Sequence, residues 1–457
     1  MTESFGIAPE LPTTGVPGRR GAGSNAAWLT LEKIVHLGVA FVVTIVVARE
    51  LGAEDFGRIA LGLALIALVW PVSSVVAQCL VRDEVAEPDA ANALYSAALV
   101  VAGLVCSLVV LVIGAVTAVS VGVGSDTGIV ILVMVGSTLI RPLMVVDAWF
   151  IVRMVSKRAV IVRVSALLLT GAVRVALPLL GFGVVAVAWT YLAEAVLSAI
   201  GMWVVYRRQE KSYRWEFDRA KVRSLLKEMA PLLITTSSVL IFTRIDQIML
   251  APLSGLAEAG VFAVAASLAL TPRFPLVALL VSSAPRMLRL KHTDIERYHV
   301  ALVDLSRTMT LLGYGLTLVL IAVVAPLAPL LLGPDYQSVS LVIVILALST
   351  PIACVGNILV GVTNWEKLYR EAVTRNVVAT VLSIALNFVL LPRYGAVGAA
   401  VTTLIATAWV YLIGPALAPR TRPVLRELLP SLEPISSTRV LLRHRREKRR
   451  VAADQRA

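Results

Sequence analysis

The sequence predicts an all-α polytopic membrane protein, with about twelve transmembrane helices in two pseudo-repeated six-helix lobes around a central cavity. Three observations carry that prediction. Of the 457 residues 58% are hydrophobic and only 16% are charged, and mean hydropathy is +0.85. A soluble chain of this length needs far more polar surface to cover itself. Apolar segments of roughly 20 residues, the length that crosses a bilayer as a helix, recur along almost the whole chain. The halves also echo each other. Set residues 44–60 (TIVVARELGAEDFGRIA) under residues 247–263 (QIMLAPLSGLAEAGVFA), and Ile45, Ala48, Gly52, Gly57 and Ala60 meet Ile248, Ala251, Gly255, Gly260 and Ala263. Residues 177–186 (LPLLGFGVVA) match residues 391–400 (LPRYGAVGAA) in the same way. Two echoes in the same order indicate a duplicated half. Repeated halves with a site between them are the usual plan of a secondary transporter.

Taken in order, residues 1–24 are rich in Pro, Gly and Thr and are expected to form a disordered cytoplasmic tail. Arg19 and Arg20 precede the first apolar run and read as an anchor. The run itself is too long for a cleaved signal and lacks a small-residue cleavage site after it. Twelve spans follow, at about 26–49, 57–81, 91–119, 127–152, 159–180, 184–206, 227–253, 259–283, 298–325, 337–361, 371–391 and 395–417. The ninth continues through Pro326 and Pro329 to Leu332, so it is expected to kink or to lead into a short extra helix. The units are therefore the tail, an N-lobe over 25–206, a basic linker over 207–226, a C-lobe over 227–417 and a basic C-tail over 418–457.

Charge distribution orients these spans. Starting inside, the even-numbered loops and both tails carry most of the Lys and Arg, while the odd-numbered loops hold only Arg49, Arg58 and Arg393. That asymmetry places both termini in the cytoplasm. One inner loop, 82–89, is net acidic, and acidic residues count little here. The net charge of +13 thus reflects topology and lipid contact rather than nucleic acid. The linker (RRQEKSYRWEFDRAKVRSLLK) is expected on the inner membrane surface, and the stretch after Ser437 against anionic lipid. Cys79, Cys106 and Cys354 lie in apolar runs without CxxC spacing, and the four histidines are scattered, so no disulfide or metal site is expected. No cofactor is called for. Walker, GxSxG and HExxH patterns are absent, and no external loop is long enough to carry catalysis, so the chain does not read as an enzyme.

A charged residue at a helix centre costs roughly 2.5–3.5 kcal/mol on insertion scales, and is kept when it faces a cavity, a partner or a substrate. The ionisable residues within spans are Lys33, Arg141, Asp147, Arg174, Glu194, Arg244, Asp246, Arg273, Asp304 and Arg307. Asp304 and Arg307, at i and i+3, can pair locally. Lys33 either snorkels to the surface or faces the cavity. The deeper arginines, Arg141, Arg174, Arg244 and Arg273, admit two readings. They either lock helices together through Asp147, Glu194 and Asp246 or line a cationic cavity, since the guanidinium fork suits phosphate oxygens. Proline interrupts several spans, at Pro71, Arg141-Pro142, residues 271–275 (TPRFP) and Thr350-Pro351, and the TPRFP break is the sharpest local sign of a site or hinge.

Three blocks, VARELGAEDFGRIALGLALIAL, RIDQIMLAPLSGLAEAGVFAVAASL and NFVLLPRYGAVGAAVTTLIA, resemble the polysaccharide-biosynthesis flippases of the multidrug/oligosaccharidyl-lipid/polysaccharide exporter superfamily, the O-antigen and exopolysaccharide translocases. The resemblance covers roughly residues 25–417 and is most specific in the last block. It implies a flippase that moves an undecaprenyl-diphosphate-linked oligosaccharide from the inner to the outer leaflet by alternating access of two lobes. It also implies that Arg141, Arg174, Arg244 and Arg273, with Lys33, hold the diphosphate and sugars. Asp147, Glu194 and Asp246 then become candidates for ion coupling, and Arg49 for gating. Implied partners are the polyprenyl-diphosphate-linked glycan, membrane lipids, and a glycan polymerase and glycosyltransferases. Three rival readings are a cation-coupled multidrug exporter of the same superfamily, a lipid II flippase, and an O-antigen polymerase or ligase. The first would favour carboxylates in the cavity, the second often carries extra helices, and the third would need a large external loop.

Overall fold

The computed structural model describes residues 19–86, 91–209, 214–366 and 368–433, which are helical and contain no strand. Residues 1–18 of the expected N-tail over 1–24, and the basic stretch after Ser437, lie outside the described residues. By length and hydropathy nine helical runs could cross a membrane, or ten when the two halves of a bent helix are joined. Two of the runs, Ala27–Asp83 and Arg370–Leu417, are too long to be single spans. At 1.5 Å per residue the first would reach roughly 85 Å, against a hydrocarbon core of about 30 Å. Each is broken by a glycine outside helical geometry, Gly52 (φ 80°, ψ 173°) and Gly395 (φ 52°, ψ −129°). Ten runs plus these two divisions make the twelve spans predicted.

We label them α1 (19–51), α2 (53–86, with a turn at Leu68 and Val69), α3 (Ala91–Ser120), α4 (Asp126–Val152), α5 (Ser156–Leu179), α6 (Val184–Gln209), α7 (Arg219–Ser254), α8 (Leu256–Thr293), α9 (Ile295–Leu332), α10 (Val339–Trp365), α11 (369–394) and α12 (396–417). A short α13 (Arg422–Leu428) follows. Several boundaries differ from the sequence reading. The first helix begins at Arg19, inside the expected tail. In the expected linker, Asp218 caps a helix by accepting from the Ala220 and Lys221 amides, so α7 starts at Arg219. α9 runs on to Leu332 through a π-turn at Leu320–Val324, with no separate extra helix. The start of the expected C-tail is docked, because α13 buries Leu425 and Leu428 against the C-lobe and Tyr314 Oη donates to the Leu432 carbonyl at 2.8 Å.

All six positive-φ glycines among the described residues, Gly52, Gly122, Gly181, Gly255, Gly333 and Gly395, sit in the odd-numbered connections, one in each. A left-handed residue lets the chain leave one helix and enter the next almost at once. These turns lie at one end of the molecule and are tied to each other. Tyr336, beside Gly333, donates to the Ala48 carbonyl at 3.0 Å. Glu258, just after Gly255, accepts the Ala396 amide at 2.7 Å and so caps α12. Arg58, just after Gly52, donates to Thr127 at the start of α4 at 3.1 Å.

At this end the two lobes share one hydrophobic core, with Val47 and Phe56 beside Phe262, Ile343 and Ala399. At the opposite end the core divides. One cluster, around Leu80, Phe150 and Met202, joins the N-lobe to Leu225 and Met229 of α7; another, around Leu302, Met309 and Ile358, belongs to the C-lobe. The lobes are joined most tightly where α2 and α8 begin. A Cβ at Gly57 would overlap the Leu256 carbonyl, and one at Gly260 would overlap the Ala53 carbonyl. The two contacts are each other's image at one offset, 260 − 57 = 256 − 53 = 203. That reciprocity is what a two-fold axis between the repeats requires.

Candidate functional site

What already holds each buried charge decides what remains for a ligand. In the N-lobe, Arg174 is 5% exposed. Its Nε donates to Thr190 Oγ1 at 2.8 Å, its Nη2 to Glu194 Oε2 at 2.8 Å, and its guanidinium lies over the Tyr191 ring at 3.5 Å. It therefore clamps α5 to α6. Asp147 is similarly held, by Arg163 of α5, which also grips Glu32 of α1 at 2.6 and 2.8 Å. Arg163 was not among the expected site residues, although it lies about one turn inside its predicted span. Arg141 stands on a stretch of 3₁₀ helix, Ser137–Val146, beside Pro142. It has Glu194 and Cys106 as electrostatic neighbours, and among the described residues no hydrogen bond or ion pair holds it.

The C-lobe differs in kind. Arg273, in the TPRFP break, donates from Nε to Thr350 Oγ1 at 3.0 Å and from Nη2 to the Leu346 carbonyl at 2.8 Å and Ser349 Oγ at 2.7 Å. All three partners are neutral. The break in α8 thus meets the Thr350-Pro351 break in α10, where Pro351 has no amide for Ala347 and that carbonyl accepts from Thr317 instead, at 3.1 Å. The next residue, Phe274, presents its ring to Lys33 of α1, 5.7 Å from the ammonium. Lys33 and the α8 break therefore meet across the two lobes. Among the described residues Arg244 bonds only Gln247, one turn along its own helix, at 3.1 Å.

Asp246 has no cation partner among the described residues. It is 7% exposed. Asn387 Nδ2 of α11 donates to its Oδ1 at 2.8 Å, and Thr403 Oγ1 of α12 to its Oδ2 at 2.7 Å. Asn387 and Thr403 were not singled out by sequence, although both lie in the NFVLLPRYG block and its continuation. Arg49 is exposed at the glycine-turn end and faces only Glu50 at 3.9 Å; Asp304 and Arg307 face each other, also at 3.9 Å. The expected arginines thus do not form one cluster. Arg174 is fully engaged, while Arg141, Arg244 and Arg273 have no carboxylate partner among the described residues. No group of His, Cys, Asp and Glu among the described residues is arranged to hold a metal ion.

Comparison with known proteins agrees with this architecture. The model of the family described as polysaccharide biosynthesis protein matches residues 22–291. No curated protein matches the chain. Among solved structures, an inward-facing multidrug resistance MATE family transporter of the MOP superfamily aligns with a TM-score of 0.65 at 13% identity, covering 86% of this chain and 99% of that one. The lipid II flippase MurJ, in an inward closed conformation, aligns at 0.63 and 15% identity, covering 92% of both chains. A MOP superfamily transporter from Pyrococcus furiosus, described as having a binding pocket of reversed polarity, aligns at 0.54 and 13%, covering 88% and 96%. At these identities the likeness concerns the fold, two lobes of membrane helices.

Proposed function

We propose that this chain, which belongs to the polysaccharide biosynthesis protein family, is a flippase that carries a polyprenyl-diphosphate-linked oligosaccharide from the inner to the outer leaflet of a bacterial plasma membrane. The observation that carries the proposal is the balance of intramembrane charge. Glu194 and Asp147 are neutralised by Arg174 and Arg163, whereas Arg141, Arg244 and Arg273 keep donors without a carboxylate. A cavity with uncompensated guanidinium groups favours phosphate oxygens. Lys33 adds a cation where α1 meets the α8 break.

The physical problem is the crossing itself. A glycan and two phosphates cannot enter hydrocarbon unaided, but a polar space between lobes lets only the lipid tail touch the bilayer. With the basic loops inside, the glycine-turn end faces outward, so the shared core closes the outer side while the divided cores leave room on the inner side. Rocking about the α2–α8 contact then exchanges access. Asp246, buried and without a cation, is the carboxylate best placed to couple an ion to that motion. Glu194 and Asp147 are already committed to arginines.

Two other readings share this fold. A cation-coupled multidrug exporter would draw on Asp246 in place of the arginines; a lipid II flippase would use the arginines for a different glycan. The test is mass spectrometry of polyprenyl-diphosphate glycans in lipid extracts from cells with and without the protein. Accumulation of one lipid-linked oligosaccharide with loss of a surface polymer is the expected result, and the glycan mass separates the two flippase readings. An unchanged lipid pool with new sensitivity to cationic drugs would replace this reading with the exporter.

A further inference from the structure

Within α4 the stretch Ser137–Val146, around Pro142, is 3₁₀ helix. Such a helix is thinner than an α-helix and rises further per residue, so it does not fill the space beside α6. A cleft of about 650 Å³ opens there, within the roughly 300–1,000 Å³ typical of ligand sites. Leu143 of α4 and Ile200, Trp203 and Val204 of α6 wall it, over the small Ala199. Leu143, Ile200 and Val204 are exposed, so the walls face hydrocarbon. Every lining residue belongs to the N-lobe, which sets the cleft apart from the space between the lobes. Trp203 Nε1 donates to the Leu143 carbonyl at 2.9 Å and ties the two walls together. About one turn beyond Trp203, Arg207 and Arg208 stand at the mouth. The Arg207 guanidinium lies over the Trp203 ring at 5.8 Å. Both arginines are exposed, and among the described residues no carboxylate pairs with either.

We infer that this cleft binds one anionic phospholipid of the inner leaflet, with an acyl chain between α4 and α6 and the phosphate on Arg207 and Arg208. Depth supports the assignment. The basic end of α6 lies at the cytoplasmic surface, so the arginines reach headgroup phosphates. Ala199, eight residues back, lies about 12 Å deeper, among the chains. Trp203 sits between them, at the interfacial depth that tryptophan favours. Charge selects the headgroup. Two guanidinium groups with no acid beside them favour an anionic lipid over a zwitterionic one. Two further clefts beside α3 and α7 are also apolar, but no charged residue lines them, so they offer a chain no headgroup contact. Through the Trp203 bond to Leu143, the bound lipid rests against the 3₁₀ segment that carries Arg141. The site itself does not depend on what the lobes transport.

The test is native mass spectrometry of the full chain in detergent, with phosphatidylglycerol and phosphatidylcholine of identical chains at equal concentration. Retention of one phosphatidylglycerol, favoured by about tenfold, is expected. Arg207→Gln with Arg208→Gln should abolish that preference. Val204→Trp, which fills the cleft, should cut retention of both lipids. Arg286→Gln with Arg289→Gln, at exposed arginines near the inner end of α8, should change neither. All these positions are exposed, so the thermal midpoint should hold and lost binding reads on the site. Equal retention of both lipids by the parent chain, or equal loss from the two arginine pairs, would overturn the site. So would displacement of phosphatidylglycerol by an equal concentration of undecaprenyl phosphate, which would give the cleft to a polyprenyl carrier. Phosphatidylglycerol binding needs no glycan, so its outcome stands apart from the flippase reading.

Discussion

At the scale of single residues, charge pairing separates structural from functional arginines. Arg174→Met leaves Glu194 without its guanidinium inside the N-lobe, and breaking a buried pair from one side costs about 3 kcal/mol. The thermal midpoint in detergent should fall, and the double variant Arg174→Met, Glu194→Leu should recover most of it. Arg273 calls for the opposite outcome. Its partners are two hydroxyls and a carbonyl, so Arg273→Ala should leave the midpoint nearly unchanged and block export, seen as accumulated lipid-linked glycan. Arg273→Lys should not rescue, because an ammonium cannot span oxygens on three residues as the planar fork does. Asp246→Asn should keep an acceptor for Thr403 or Asn387, preserving the fold. Transport driven by an ion gradient should then fail in vesicles, with passive exchange retained.

At the scale of elements, the irregular segments are where sequence spoke most clearly. Pro142, the TPRFP run and Thr350-Pro351 were legible as interruptions, and each is a departure from regular α-helix or a place where a freed carbonyl is taken up. The meeting of the last two through Arg273 was not legible, because proline marks where a helix loses a bond and says nothing about which neighbour supplies the replacement. The same limit hid Arg163. Its role depends on Glu32 and Asp147 arriving from two other helices, which no local pattern encodes. Asp246 was visible as an anomaly, yet its relief by an amide and a hydroxyl in place of Arg244 depends on how α7 lies against α11 and α12. Glycine was the more faithful guide. Gly52, Gly255, Gly181 and Gly395, matched in the two sequence echoes, all adopt positive φ at turns. Gly260→Ala should therefore act through geometry rather than chemistry. The added methyl overlaps the Ala53 carbonyl and forces α2 and α8 apart. Spin labels at Arg49 and Arg393 should report a longer distance across the glycine-turn end than in the parent protein.

For the whole molecule, the two halves have kept a common frame and diverged inside it. The N-lobe seals its half-buried carboxylates with arginine, while the C-lobe leaves Asp246 to neutral partners. The closing contact, in which Gly57 meets Leu256 as Gly260 meets Ala53, is the contact that two identical subunits make across a dyad. Six helices per half return each half to the side it started from, so both copies would insert the same way up, and a tether on that one side is enough to fuse them. A self-paired ancestor of half this length would have carried every buried charge twice. Fusion removes that obligation, so one copy can become scaffold while the other keeps a costly unpaired acid. The glycine crossing is thus a fossil of equality between partners that have since divided their labour.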